Sequence, residues 1–106
     1  MTTEVVFALY HPHPGKDGEL RPLIDEHLPT LRRLGLATER PSMLLKAADG
    51  TYLEIFEWAS ATAARSAHEH PEVARLWDAM SAIADFVSLD TLQESRQPFT
   101  HFSLAE

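Results

Sequence analysis

The sequence predicts an α+β fold in which one antiparallel sheet carries helices on one face. Three observations lead there. A helical stripe of apolar residues fills the stretch from Asp17 to Gly35, two strand-forming runs flank Ala48-Asp49-Gly50, and a second helical pattern follows a capping serine at Ser60. The elements come in the order strand, helix, strand, strand, helix, strand.

Val5 to Tyr10 is rich in strand formers and is expected to stop at His11-Pro12-His13-Pro14-Gly15, because neither proline can donate to a ladder. From Asp17 onward Leu20, Leu23, Ile24, His27, Leu28, Leu31 and Leu34 recur at helical steps, and Gly35 supplies a C-terminal stop. Pro22 fits a first turn, whereas Pro29 lies inside the pattern and predicts a kink or a new turn. Ser42 to Ala47 and Thr51 to Trp58 flank a turn that favours positive backbone angles, hence a β-hairpin. In its second strand Tyr52, Glu54, Phe56 and Trp58 share one face and Leu53 and Ile55 the other. Both faces are largely apolar, which predicts a central strand. Ser60 caps a helix from Ala61 to about Glu69, and Pro71 opens a continuation marked by Val73, Leu76, Trp77, Met80, Ile83 and Ala84. Phe86 to Leu92 reads as a last strand, and a tail with Pro98, Phe99 and Phe102 follows, expected to pack on a partner or on the end of the fold.

Four strands with two helices on one face predict a ferredoxin-like βαββαβ sandwich, as one domain over residues 1–106. The second sheet face would then be a large exposed apolar patch, so two copies are expected to pack sheet against sheet as a homodimer.

Composition excludes several function classes. Nine Lys and Arg against sixteen Asp and Glu give a formal net charge of -7, and the basic residues are scattered. Nucleic acid and anionic membrane surfaces are therefore not expected partners. The absence of cysteine removes disulfides and thiolate chemistry. The apolar run Val5 to Leu9 is far shorter than a signal-peptide core or a membrane span, and a cytoplasmic location is the expectation.

The stretch Thr51 to Val73, TYLEIFEWASATAARSAHEHPEV, ends a strand in Trp58, caps a helix at Ser60, and then sets Ala67-His68 just before Pro71-Glu72-Val73. It resembles the join between strand three and helix two in antibiotic biosynthesis monooxygenase domains of the dimeric α+β barrel superfamily. Length and element order agree over almost the whole chain. The resemblance implies a homodimeric α+β barrel, a cavity between sheet and helices and, as in some members, oxidation of aromatic or quinol substrates by oxygen with no metal or flavin cofactor. Two subgroups do not transfer. Haem-degrading members and the best-known anthrone-oxidising ones position substrate with an asparagine, and this chain has none. The haem degraders also carry a tryptophan near where His68 stands and a histidine where Asp78 stands.

The candidate site residues follow from chemistry and position. His68 is the first candidate for a catalytic proton acceptor, because histidine exchanges a proton near neutrality; the competing reading is a polar interface or helix-end contact. Trp58 weighs more as packing than as a substrate platform. Glu54 shares a face with Tyr52, Phe56 and Trp58, where a carboxylate must be paired. If that face lines a cavity Glu54 is a candidate base, and otherwise it pairs with Arg40 or a hydroxyl. His27 falls on the apolar stripe of the first helix, as a hydrogen-bonded core residue or a cavity residue. Tyr10 can give its hydroxyl to a ligand or to a backbone carbonyl. The pairs His11/His13 and His68/His70 invite a metal, but only the first has suitable geometry and no third ligand emerges from spacing, so no metal is predicted.

These residues support an oxidoreductase reading: a cofactor-independent monooxygenase acting on a small aromatic, quinol or polyketide-like molecule. Trp58, Phe56 and Tyr52 would shape the pocket, His68 would take the proton, and Tyr10 or His27 would polarise a substrate oxygen. The alternative is a non-catalytic dimeric barrel that binds a small apolar ligand or has a stress-related role.

Overall fold

The computed structural model describes residues 3–105. Its strands are β1 (Glu4–Pro12), β2 (Met43–Lys46), β3 (Tyr52–Trp58), β4 (Ala84–Phe86) and β5 (Ser103–Leu104); its helices are α1 (Asp17–Arg33), α2 (Ala61–Ser66) and α3 (Pro71–Ser81). All pairings are antiparallel, and the sheet runs β4-β1-β3-β2-β5. This α+β arrangement is compatible with the predicted ferredoxin-like topology, with β3 in the interior.

Local chemistry sets most boundaries. Gly50, at φ +94°, closes the β2–β3 turn, where the Ala47 N–H donates to the Thr51 carbonyl at 2.8 Å. The Ser60 hydroxyl accepts from the Ala63 N–H at 3.2 Å and starts α2. Between α2 and α3 a single 3₁₀ turn, Ala67–Glu69, carries His68, and Pro71 sits in the first turn of α3, where its missing N–H costs nothing.

Register then divides the sheet into two faces. Tyr10 lies opposite Tyr52, Ala8 opposite Glu54 and Val6 opposite Phe56, and this face meets the helices. Two apolar clusters form there. One joins Leu28, Leu31, Phe56, Trp58, Ala67 and Val73; the other joins Tyr10, Leu20, Ile24, Tyr52, Leu76 and Met80. Ala8 and Trp77 pack against both.

Four expectations need correction. β1 continues through His11 to Pro12, because its last pair with β3 is Tyr10 with Tyr52, so the N–H that Pro12 lacks has no ladder partner to lose. Helix α1 runs for 17 residues through Pro29, which therefore starts no new turn. Pro29 and Asp25 are both exposed, so the Asp25 carbonyl left without a helical donor faces water. Helix α3 stops at Ser81: the Ile83 N–H bonds the Met80 carbonyl at 3.1 Å and the Ile83 carbonyl is taken by the His13 N–H at 2.8 Å, which draws Ala84 into β4. Finally, the fourth strand is Ala84–Phe86 rather than Phe86 to Leu92, and a fifth, β5, follows it. After the Val87 N–H donates to Leu9, Ser88 bonds Asp90 and the Thr91 hydroxyl donates to the Ser88 carbonyl at 2.7 Å, and these local bonds turn the chain off the sheet.

The diverted chain covers part of the second sheet face. Leu92 and Phe102 pack with Leu9, Leu53 and Ala47, and β5 then pairs with β2. Phe102 thus packs within its own chain, whereas Phe99 is 84% exposed on the single chain. The next row of that face, Phe7, Ile55 and Met43, stays largely uncovered, with Phe7 50% and Met43 51% exposed. Among the described residues no helix is long and apolar enough to cross a membrane.

Candidate functional site

Because β4 is short, the edge of β1 toward Glu4 has no strand neighbour on that side among the described residues. A cavity of about 420 Å³ occupies the space, between that edge and the helices. β1 from Val6 to Tyr10 and Phe56 and Trp58 of β3 contribute from the sheet, Phe86 and Val87 from the departing chain, and His27, Ala64, His68 and Trp77 from the helical layer. Ala8 matters for its size. It is the register partner of Glu54, and a larger residue there would project toward the same space.

Behind the cavity lies a buried polar network. The Tyr10 hydroxyl donates to Glu54 Oε1 at 2.7 Å, and His27 Nδ1 bonds the same oxygen at 2.8 Å. Trp77 Nε1 donates to His27 Nε2 at 2.9 Å. An indole nitrogen can only donate, so His27 Nε2 must accept and Nδ1 must carry the hydrogen given to Glu54. The Nδ1–H tautomer is thereby assigned, and both ring nitrogens are engaged. Tyr10, His27 and Glu54 are respectively 4%, 2% and 4% exposed. A carboxyl group so enclosed is tolerable because two donors reach it. Burial, followed by the adjacent Glu54 charge and hydrogen bond, pushes the Tyr10 phenol well above its ordinary range.

His68 is different in kind. It is exposed, it has no hydrogen-bond partner among the described residues, and its ring stands nearly perpendicular to Trp77 with centroids 4.8 Å apart. Trp58 meets Phe56 edge to face at 5.0 Å, and Phe56 in turn meets His27 at 5.7 Å. The aromatic lining is thus continuous with the polar network.

Five of the residues selected from sequence, His68, Trp58, Tyr10, Phe56 and His27, come together around this cavity. Two do not. Tyr52 lies among the other apolar cluster and donates its hydroxyl to Asp17 Oδ1 at 2.8 Å, which ties β3 to the start of α1. Glu54 faces a separate cleft beside α1 and β2; of its two expected kinds of partner it has the hydroxyl, that of Tyr10, and not Arg40, and His27 joins it. Arg40 pairs instead with Glu57 at 3.1 Å, because Glu57 is on the opposite face of β3. Trp77 was missed as a site residue, being read as part of an apolar stripe. Its indole N–H was the available signal, since a histidine on the stripe of α1 requires a donor or acceptor from the helix packed beside it.

His11 and His13 are engaged elsewhere. His11 Nδ1 lies 2.9 Å from the Thr51 hydroxyl, and His13 Nε2 lies 3.0 Å from Asp85. Among the described residues no group of three or more His, Asp or Glu side chains is gathered to hold a metal.

No protein-family model matches the chain, and a search of curated proteins finds none similar to it.

The network has a spectroscopic consequence. Tyr10 and Tyr52 are the only tyrosines, and both phenols are raised, Tyr52 by burial and then by its bond to Asp17. A group raised in the folded state contributes stability that is complete below its unfolded pKa of about 10 and is lost as pH climbs through the folded value. Ultraviolet titration of the folded protein is therefore expected to show less than half of the phenolate signal at pH ~10, rising to half in denaturant. Half-ionisation at the same pH in both states would contradict the buried Tyr10–Glu54 bond.

Proposed function

We propose that the chain is a cofactor-independent oxygenase that binds a small aromatic, quinol or polyketide-like molecule in this cavity, with His68 as the proton acceptor. One observation carries the reading: an apolar, aromatic-lined cavity holds a single exposed imidazole with no partner among the described residues. His27 is unsuited to the role, since both of its nitrogens are bonded, and Tyr10 already gives its hydrogen to Glu54.

The chemistry asks little of the protein. His68 removes a proton from an activated CH₂ flanked by aryl or carbonyl groups, and the electron-rich anion reduces and then combines with oxygen to form a peroxide. Return of the proton and loss of water leave a carbonyl. One CH₂ and one O₂ give one C=O and one H₂O. Trp58, Phe56 and Trp77 supply flat apolar surface for such a substrate.

A second reading, a non-catalytic barrel that carries a small apolar ligand, is favoured by the closure of His27 and by the position of Glu54 off the cavity. Oxygen uptake separates the two. With anthrones, hydroquinones and catechols in metal-free buffer, the oxygenase turns over at least one, and His68→Ala lowers that rate by ~100-fold or more. His70→Ala changes it far less, because His70 sits at the start of α3 and does not line the cavity. No uptake across the panel contradicts the oxygenase reading, and equal rates for wild type and His68→Ala remove His68 from the mechanism.

The uncovered row of Phe7, Ile55 and Met43 further supports a homodimer in which the two sheets face one another as a dimeric α+β barrel. Light scattering on a sizing column is expected to give twice the 11.9 kDa chain mass at micromolar concentration. A stable monomer there would refute the barrel.

A further inference from the structure

Tyr10 and His27, the groups expected to polarise a substrate oxygen, give their hydrogens to Glu54, and Trp77 gives its own to His27. Trp58 is the exception. Its indole N–H has no hydrogen-bond partner among the described residues, although the residue is only 8% exposed. Among the described residues no fully buried side-chain nitrogen or oxygen lacks a partner, so the Trp58 nitrogen keeps contact with the surface. Trp58 packs with Phe56 in an apolar cluster that offers no side-chain acceptor, and it lines the cavity. A second unpaired donor is the backbone N–H of Phe7, which β1 directs to the edge where Leu9 accepts from Val87 and His13 donates to Ile83. Phe7 is 50% exposed, so water serves it. A donor almost withdrawn from water gains more from a ligand. Ala67, next to His68, packs in the same cluster as Trp58, and donor and base thus border one cavity from the sheet and from the helical layer. An indole N–H can only donate, so it selects an acceptor oxygen.

We propose that Trp58 is a catalytic residue of this site: its indole N–H receives the carbonyl oxygen of an aryl ketone and holds the enolate oxygen formed when His68 takes a proton from the adjoining CH₂. This deepens the oxygenase reading, rests on it, and narrows its substrates to ketones. The C–H electron pair becomes the C=C bond of the enolate, the C=O π pair moves to oxygen, and the proton rests on His68. Negative charge grows on the oxygen that Trp58 holds.

Both steps can be followed without oxygen, using 2-tetralone and tetralin, which share a skeleton and differ in a single carbon that is C=O in one and CH₂ in the other. In the ¹⁵N-labelled protein, 2-tetralone is expected to move the proton of one of the two indole signals, that of Trp58, downfield, and tetralin is not. Trp77 is already bonded to His27, so its signal is not expected to follow. An unmoved Trp58 signal with 2-tetralone bound overturns the proposal, whether or not any variant folds. Trp58→Phe keeps an aromatic ring and removes the donor. It is expected to bind 2-tetralone about fivefold more weakly, the effect of one hydrogen bond, and tetralin almost unchanged. In oxygen-free deuterated buffer the wild type is expected to speed exchange at the CH₂ between ring and carbonyl. Trp58→Phe should lower the rate at saturating ketone about 100-fold, the loss of one oxyanion donor, and His68→Ala should abolish the acceleration while keeping the 2-tetralone preference. Equal exchange by wild type and Trp58→Phe, exchange no faster than in buffer alone, or no binding of 2-tetralone overturns the proposal. If exchange behaves as expected and no oxygen is consumed across the panel, the oxygenase reading falls while the roles of Trp58 and His68 in proton transfer stand. If oxygen uptake is the same in wild type and Trp58→Phe, the oxygenase reading stands and Trp58 leaves the mechanism.

Discussion

A carboxyl group held between a sheet and the helix packed on it is the constraint around which this fold is arranged. Glu54 points into the helix-facing side of the central strand, where an unpartnered carboxylate costs several kcal/mol. The residues near it answer that cost. Tyr10 reaches across from the adjacent strand, His27 comes down from α1, and Trp77 from α3 bonds the far nitrogen of His27. Four elements, β1, β3, α1 and α3, are therefore linked through two acceptors, Glu54 Oε1 and His27 Nε2. The same links divide the helix-side core, with apolar clusters to either side and Ala8 and Trp77 in contact with both.

Much of the fold was legible because its signals are local. The Ala48-Asp49-Gly50 turn, the Ser60 cap and Pro71 act within a few residues of themselves, and the structure has them where the pattern placed them. The stripe of α1 included His27 correctly as a buried, hydrogen-bonded residue. A hydroxyl was one of the expected partners of Glu54, but which one was not legible, because it depends on register: the pairing of Ala8 with Glu54 brings Tyr10 within reach and leaves Arg40 on the wrong side. The end of the sheet failed for another reason. Val87 to Leu92 has the composition of a strand, but hydrogen bonds among Ser88, Asp90 and Thr91 compete with the ladder and win at a sheet edge. The shortness of β4 that results is what opens the cavity, so its chief determinant lay outside the segment from which function was read.

The network also separates structural from available chemistry. Tyr10 and His27 look like catalytic groups when viewed as residue types beside a cavity, yet both give their hydrogens to Glu54, and the free nitrogen of His27 accepts from Trp77. His68 is held by an exposed 3₁₀ turn and is open to a ligand. On the proposed reading, aromatic walls with one exposed imidazole would suit a reaction in which the protein supplies a base and an apolar surface, while oxygen supplies the oxidising power.

The central claim is that His27 is locked between Trp77 and Glu54, and proton-coupled ¹⁵N NMR of the histidine rings tests it most directly. The account predicts that His27 shows the Nδ1–H tautomer, with a slowly exchanging ring proton, near neutral pH. A rapidly averaging pair of tautomers, or a hydrogen on Nε2, would contradict the Trp77–His27–Glu54 chain and with it the assignment of His68 as the free imidazole of the cavity.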